Sequence, residues 1–410
     1  MRSTLFSTLS LQAGAQQDAT GRNLEHARAH NRRAVLDLIR RTGEMSRPEI
    51  ARRTALSLQT ISNIVEELEQ AGFLRAGGSV RGKRGQPYVP FSVNPKGGWT
   101  IGLNIARHTI TGALVDLAGQ MVAAEEISQD PATPAILTPI VAAVCERLMT
   151  RGAVPRHRIL GIGCALPVRF DLGAISTAPP TGLPGWEDPE ARRRFRDSFF
   201  APVILENDAV TAAINEHLNG VARDIDNFVL LYLEEGLGAG LFLNGRPFTG
   251  VRDNAGEIGH MVVMPDGRPC GCGNRGCAER YLSLRAAYEV VTTQPDQWTP
   301  AALNAAFDAD PDALVPWFES LRLPLTNLIH ILEMVLAPET VIVGGPASPA
   351  SIDRVIAAAQ PLPPSVSAYH GRRLPRLMPG TIGRYASAFG AAALPIYSEI
   401  SPSSIPSLAQ

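Results

Sequence analysis

Lysine is almost missing from this chain of 410 residues. Lys83 and Lys96 are the only two, and arginine supplies the rest of the 38 basic side chains. That bias is compositional and marks no function. No apolar run is long enough to span a bilayer, so no membrane partner is expected. The first fourteen residues carry one arginine and a weak apolar run without a cleavage site, so the expected location is the cytoplasm. No short tandem repeat is present, which excludes a solenoid. Cysteine is also scarce, at five residues, and three of the five fall in one stretch.

That stretch is His260-x9-Cys270-Gly-Cys272-x4-Cys277, one histidine and three cysteines within eighteen residues. Three thiolates and one imidazole fill the four tetrahedral positions that structural zinc prefers. Gly271, Gly273 and Gly276 lie between the thiols and let the backbone wrap an ion. Buried thiols or a disulfide are the alternatives, but clustered cysteines in a cytosolic chain favour a metal. Cys145 and Cys164 stand alone in apolar contexts and are expected in the core. Glu257, three residues before His260, suggests that the metal shapes a polar ligand pocket.

The length asks for two or three domains. The net charge of -1 conceals an asymmetry. From Arg22 to Lys96 there are fourteen basic against seven acidic residues, about +7, and the chain from Gly97 onward is about -8. A basic segment before an acidic remainder points to a nucleic-acid-binding head on a different body. The local pattern agrees. A helix is expected over Arg28 to Arg41, then a short one that Ser46 caps with Glu49 completing a capping box. Ala55-Leu56 makes a turn. Ser57 caps a third helix with Ile61, Ile64, Val65 and Leu68 at the helical period. Strands at Phe73–Arg75 and Tyr88–Val93 flank a basic, glycine-hinged loop. This reads as a winged helix-turn-helix over residues 22–96, whose third helix enters the major groove of double-stranded DNA. Ser57, Gln59, Thr60 and Asn63 are its candidate DNA contacts, and Gln and Asn suit adenine edges. Arg81, Lys83 and Arg84 in the wing suit phosphate or minor-groove contact. A helical bundle for protein contacts is the plainer alternative. Residues 1–21 and 398–410 are expected to be disordered.

After Asn94-Pro95 the pattern becomes α/β. Three successive strands, a helix and a glycine-rich strand appear, and the order recurs in weaker form, suggesting two lobes with a cleft between them. The motifs Leu183-Pro184-Gly185-Trp186, Glu206-Asn207-Asp208-Ala209, Gly238-Ala239-Gly240, Gly256-Glu257-Ile258-Gly259-His260, the zinc stretch through Glu279, and Val343-Gly344-Gly345 occur in order. With them, the chain from about Arg28 to Ala393 resembles the ROK family of repressors and sugar kinases. The resemblance implies a two-lobed, actin-like, ribonuclease H-like fold with sugar in the cleft and a structural zinc. The first lobe would cover 97–208 with a returning helix at about 384–397, and the second, carrying the zinc, 209–383. Asn207, Asp208, Glu257, His260 and Glu279 would bind sugar hydroxyls, and His260, Cys270, Cys272 and Cys277 would hold Zn2+. Asp208 matches the general base of the family's kinases. Thr181-Gly182 stand where relatives often carry an asparagine.

The phosphate elements decide between kinase and regulator. The family's kinases carry Gly-x-Asp-x-Gly-Gly-Thr on the first hairpin. Here the match is Gly102-Leu103-Asn104-Ile105-Ala106-Arg107-His108, without the carboxylate and the glycines. The second loop, Gly-Thr-Gly-x-Gly-Ala-Gly in kinases, reads Glu234-Glu235-Gly236-Leu237-Gly238-Ala239-Gly240. Two carboxylates at a triphosphate site would cost roughly 4 kcal/mol per like-charge pair at about 4 Å. The expectation is a sugar-responsive transcription regulator, a repressor of carbohydrate genes, with no catalytic residue in use and no ATP. Its partners would be operator DNA and a sugar, polyol or sugar-derivative effector. It would be a homodimer or homotetramer, with the helices after Glu279 as its dimer surface. The rival readings are an ATP-dependent sugar kinase with a DNA-binding head, and a regulator controlled by a protein partner.

Overall fold

The computed structural model describes residues 24–80, 87–167, 183–250, 255–367, 371–381 and 383–397. The head contains helices Leu24–Thr42, Arg47–Thr54 and Leu58–Gln70, and strands β1 (Met45–Ser46), β2 (Leu74–Ala76) and β3 (Pro90–Val93). The strands form an antiparallel sheet in the order β1-β3-β2. Ile61, Ile64, Val65 and Leu68 face a core with Val35, Ile39, Ile50, Phe73 and Phe91. Ala55 adopts a left-handed conformation (φ 55°) and turns the chain between the second and third helices. That third helix is placed as its period predicts, and Ser57 caps it by accepting from the Thr60 amide at 3.1 Å. Ser46 is different. It precedes the second helix without a side-chain capping bond, and it pairs with Pro90 in β1. β1 itself is too short to leave a period-2 signal in the sequence.

The body holds two five-stranded sheets of the same order. In the first, β4 (Trp99–Ile105), β5 (Thr109–Asp116) and β6 (Met121–Ser128) form an antiparallel meander, and β7 (Ile159–Leu166) and β8 (Val203–Asn207) add in parallel. In the second, β9 (Phe228–Leu233), β10 (Leu237–Leu243) and β11 (Arg246–Pro247) repeat the meander, and β12 (Thr340–Gly344) and β13 (Leu377–Pro379) repeat the parallel pair. The orders β6-β5-β4-β7-β8 and β11-β10-β9-β12-β13 are the same pattern twice. This is the duplicated, actin-like α/β arrangement.

Helix Pro134–Arg151 covers one face of the first sheet, burying Leu137, Val141, Val144, Cys145 and Leu148 against Leu103, Leu114 and Cys164. Both isolated cysteines are therefore core residues, as their contexts predict. Leu183 and Trp186 join the same core, and Trp186 packs edge-on against Phe195 at 4.9 Å. The outer helix of the second lobe, Val315–Leu336, buries Trp317, Leu321, Leu325 and Leu328.

Two further helices, Asp208–Asn219 and Ala386–Tyr397, lie between the sheets. Close approach explains the small residues there. A Cβ on Gly102 or Gly163 would strike the carbonyls of Ala388 and Ala391, and one on Gly240 would strike Ala209 and Ala213. The C-terminal helix can lie on the first sheet only where those strands lack side chains.

Candidate functional site: a polar cleft beside a thiol–imidazole cluster

Strand β8 ends at Asn207, and the helix beginning at Asp208 starts at the mouth of a cleft of about 380 Å³. The volume is in the range of small-molecule sites. Asn207, Asp208, Glu257, His260 and Glu279, separated by up to 72 positions in sequence, all line this one cleft. Asn207 caps its helix: its Oδ1 accepts from the Ala209 and Val210 amides at 2.9 and 3.3 Å. What it offers a ligand is therefore its NH2 group.

Asp208 is buried. Its Oδ1 accepts from the Ala209 amide at 2.8 Å, and its carbonyl accepts from the hydroxyls of Thr211 and Ser387 at 2.8 and 2.7 Å. Burial, followed by the neighbouring charge of Glu257, pushes its carboxyl up to about 6, against the two amide bonds that lower it. Glu234, desolvated beside Asp208, is raised as well. Glu279 reaches the turn between β9 and β10, accepting from the Leu237 amide at 3.2 Å.

Beside these carboxylates, the ligand atoms of His260, Cys270, Cys272 and Cys277 all lie within 4.8 Å of one another. Cys272 and Cys277 sulfurs are 3.6 Å apart, and Cys270 Sγ is 3.6 Å from His260 Nδ1. A disulfide needs about 2.05 Å, so these thiols are not bonded. Thiolate arms of about 2.3 Å in tetrahedral array put neighbouring ligand atoms about 3.8 Å apart, close to the observed spacing. The four residues therefore fit zinc. The backbone fits too. The Cys270 amide donates to Asn274 O at 2.9 Å, and Gly276 sits at φ +77° where a Cβ would strike the Met264 carbonyl. With Nδ1 turned to the thiols, His260 leaves Nε2 for the cleft it lines.

The end of the cleft lined by Arg107 and by Glu234 to Gly238 holds an ion-pair cluster that spans the lobes. Arg107, in the turn between β4 and β5, meets Glu235 at 2.9 Å and Asp296 at 3.6 Å. Arg285 meets Asp296 at 2.6 Å and Glu235 at 3.5 Å. Glu235 is thus neutralised by two guanidinium groups, a correction to the picture of two bare carboxylates there. Asp296 and Arg285 were not among the sequence candidates, since no motif marks them. Asn104 is buried away from the cleft lining.

In the head, Gln59 and Asn63 are exposed on the third helix and bonded to each other, Gln59 Nε2 donating to Asn63 Oδ1 at 3.0 Å. Thr60 is half-buried, and its hydroxyl lies 2.8 Å from Ser57 Oγ. Leu58, on the first turn, is exposed (53%). Arg81, Lys83 and Arg84 of the wing lie outside the described residues, as do Thr181-Gly182 and the two termini. Val80 and Tyr88, which bracket the wing, pair with each other.

Comparison with known proteins agrees with both parts. Residues 100–397 match the ROK family, and residues 28–75 match Winged helix-turn-helix DNA-binding. The xylose repressor of Bacillus spizizenii is 28% identical over 264 residues, 64% of this chain and 68% of that protein. A glucokinase of Halalkalibacterium halodurans is 30% identical over 310 residues, 70% of this chain and 90% of that protein. The crystal structure of a ROK family transcriptional regulator, a homolog of the E. coli MLC protein, superposes with a TM-score of 0.71 at 25% identity. It covers 92% of this chain and 98% of that one.

Proposed function

Because the chain belongs to the ROK family and joins that body to a winged helix-turn-helix head, we propose that it is a sugar-responsive transcription regulator acting as a repressor. Kinship alone does not separate regulator from kinase, since a xylose repressor and a glucokinase are both relatives. The observation that carries the reading is the cleft itself. Asp208, Glu257 and Glu279 line it, carboxylates able to accept from hydroxyls, while Arg107 of the first lobe and Arg285, Glu235 and Asp296 of the second fill its other end with ion pairs. A triphosphate there would have to displace Glu235 and Asp296 from both arginines. No kinase activity is expected, and Asp208 serves as a binding group.

In this reading, Asp208, Glu257 and Glu279 accept hydrogen bonds from a sugar or polyol, and Asn207 donates one. His260, Cys270, Cys272 and Cys277 would hold zinc, which would fix the imidazole so that its outward nitrogen can meet a ligand hydroxyl in one orientation. The pair Gln59–Asn63 on the third helix reads base edges, and the basic wing meets the DNA backbone or minor groove. Two heads of a homodimer occupy two half-sites in the cytoplasm. The helices after Glu279 leave Leu323 and Val335 exposed, in keeping with a subunit contact on that side. The effector can change operator affinity only through a differential affinity for two states of the chain.

The experiment is to select an operator from random duplexes with the full chain, then titrate D-xylose, N-acetylglucosamine, D-glucose and mannitol into the complex. Release by one of them at a concentration that leaves the head folded is the expected result. An operator complex indifferent to the panel, together with hexose phosphorylation, would replace this reading with a kinase.

A further inference from the structure

The cleft and the head are joined by two helices that meet at Asp208. The helix Asp208–Asn219 starts in the cleft, and His217 in its last turn is nine residues on, about 14 Å away. The helix Ala386–Tyr397 starts where the Ser387 hydroxyl donates to the Asp208 carbonyl at 2.7 Å. Its Ile396 ends in the apolar core of the head, together with Leu117 from the end of β5. The two helices are locked to each other. Asn215 Nδ2 donates to the Ala386 carbonyl at 3.1 Å, and a Cβ on Gly390 would strike the Thr211 carbonyl.

At the far end, the head is fastened by a contact that prescribes a protonation state. His217 is buried, and its Nδ1 lies 3.1 Å from the Ala222 carbonyl. A carbonyl can only accept, so Nδ1 carries the hydrogen. The Nε2 of the neutral ring then has to accept, and Arg41 Nη1, from the last turn of head helix Leu24–Thr42, donates to it at 3.1 Å. Asp37 holds the Arg41 guanidinium from the head side at 3.0 Å, and Phe242 packs against the imidazole at 4.7 Å. Arg40, one residue earlier, lies over Gly119 in the turn after β5.

We infer that Arg41 and His217 form the latch through which the state of the cleft reaches the DNA-binding head, with the helix pair anchored at Asp208 as the lever. The inference rests on the reading of the cleft as the effector site. A ligand that pulls on Asp208 shifts the rigid pair, and the pair ends at the two places where the head sits on the body. Arg41 and His217 are positioning residues. They touch neither the cleft nor the DNA-reading face.

The test needs neither effector nor operator, so it fails independently of the regulator reading. Amide hydrogen exchange is followed in the full zinc-loaded chain for wild type, Arg41→Met, His217→Phe, their double variant, and His217→Gln. His217→Phe keeps an aromatic ring beside Phe242, and Gln retains an acceptor for Arg41. The expected result is exchange about threefold or more faster in the last turn of helix Leu24–Thr42 and in residues 117–119. Both single variants show it, the double variant adds nothing further, and His217→Gln restores most of the protection. Asp208→Asn, made in the wild-type background, changes exchange at the same head segments. Made in the His217→Phe background, it does not. Unchanged head exchange in both single variants would overturn the latch. An Asp208→Asn effect that persists without His217 would overturn the lever. Variants that lose zinc or global protection are replaced by Arg41→Gln, whose exposed site tolerates change.

Discussion

Replacing Arg107 by alanine removes a cation that the first lobe sends across the cleft, and the cost can be worked from the contact. At 2.9 Å and an effective dielectric near 20, attraction to Glu235 is about 6 kcal/mol. Both side chains keep roughly a quarter of their surface in solvent, and Arg285 stays within 3.5 Å of Glu235 after the change. Desolvation and this second partner reduce the net contribution to about 1–2 kcal/mol. That amounts to about a five- to thirtyfold shift from closed toward open lobes. A sugar that binds the closed cleft then loses affinity by up to the same factor. The assay is a double-mutant cycle with Glu235→Ala, read by calorimetric titration of the sugar and by the radius of gyration in solution. The single variants should expand the chain and weaken binding, and the double variant should cost less than their sum. Additive effects, or a cleft that neither opens nor loses affinity, would refute the clasp.

Further expectations follow from the same geometry. Cys272→Ser should lower bound zinc as read by metal analysis, and weaken sugar binding at least tenfold, because Glu257, His260 and Glu279 flank the thiols. The head should keep its melting transition. Asp208 has its carboxyl raised from 3.8 to about 6, so ionising it disfavours the fold as pH rises through that window. Asp208→Asn should therefore stabilise the chain at pH 7 by on the order of 1–3 kcal/mol, with the gain vanishing below pH 4, as thermal melts across pH will report. The same titration makes wild-type sugar affinity rise between pH 5 and 7, since the ionised carboxylate is the stronger acceptor. Gln59→Ala and Asn63→Ala should each cost about 1–3 kcal/mol against the selected operator and little on random DNA. Their mutual bond makes the two losses non-additive, which fluorescence anisotropy on both duplexes will detect.

What the sequence disclosed depended on how local the physics is. The helix Leu58–Gln70 was legible because its four buried side chains follow the helical period and Ser57 caps it within three residues. The thiol–imidazole cluster was legible because its ligands lie within eighteen positions. The duplicated sheets were legible in outline through the recurring meander. Ser46 stands at the start of its helix without a capping bond, and its strand partner, Pro90, is 44 positions on. The bridge from Arg107 to Glu235 joins residues 128 apart, and that from Arg41 to His217 joins residues 176 apart. No spacing rule reaches such pairs. They arise from how the two lobes and the head pack together.

The most direct test of the central claim is calorimetric titration of the zinc-loaded full chain with a panel of sugars and polyols, with ATP-magnesium in parallel. The account predicts saturable heat from one sugar or polyol and none from ATP-magnesium. Saturable ATP-magnesium binding, or ADP formation with any hexose, would contradict it.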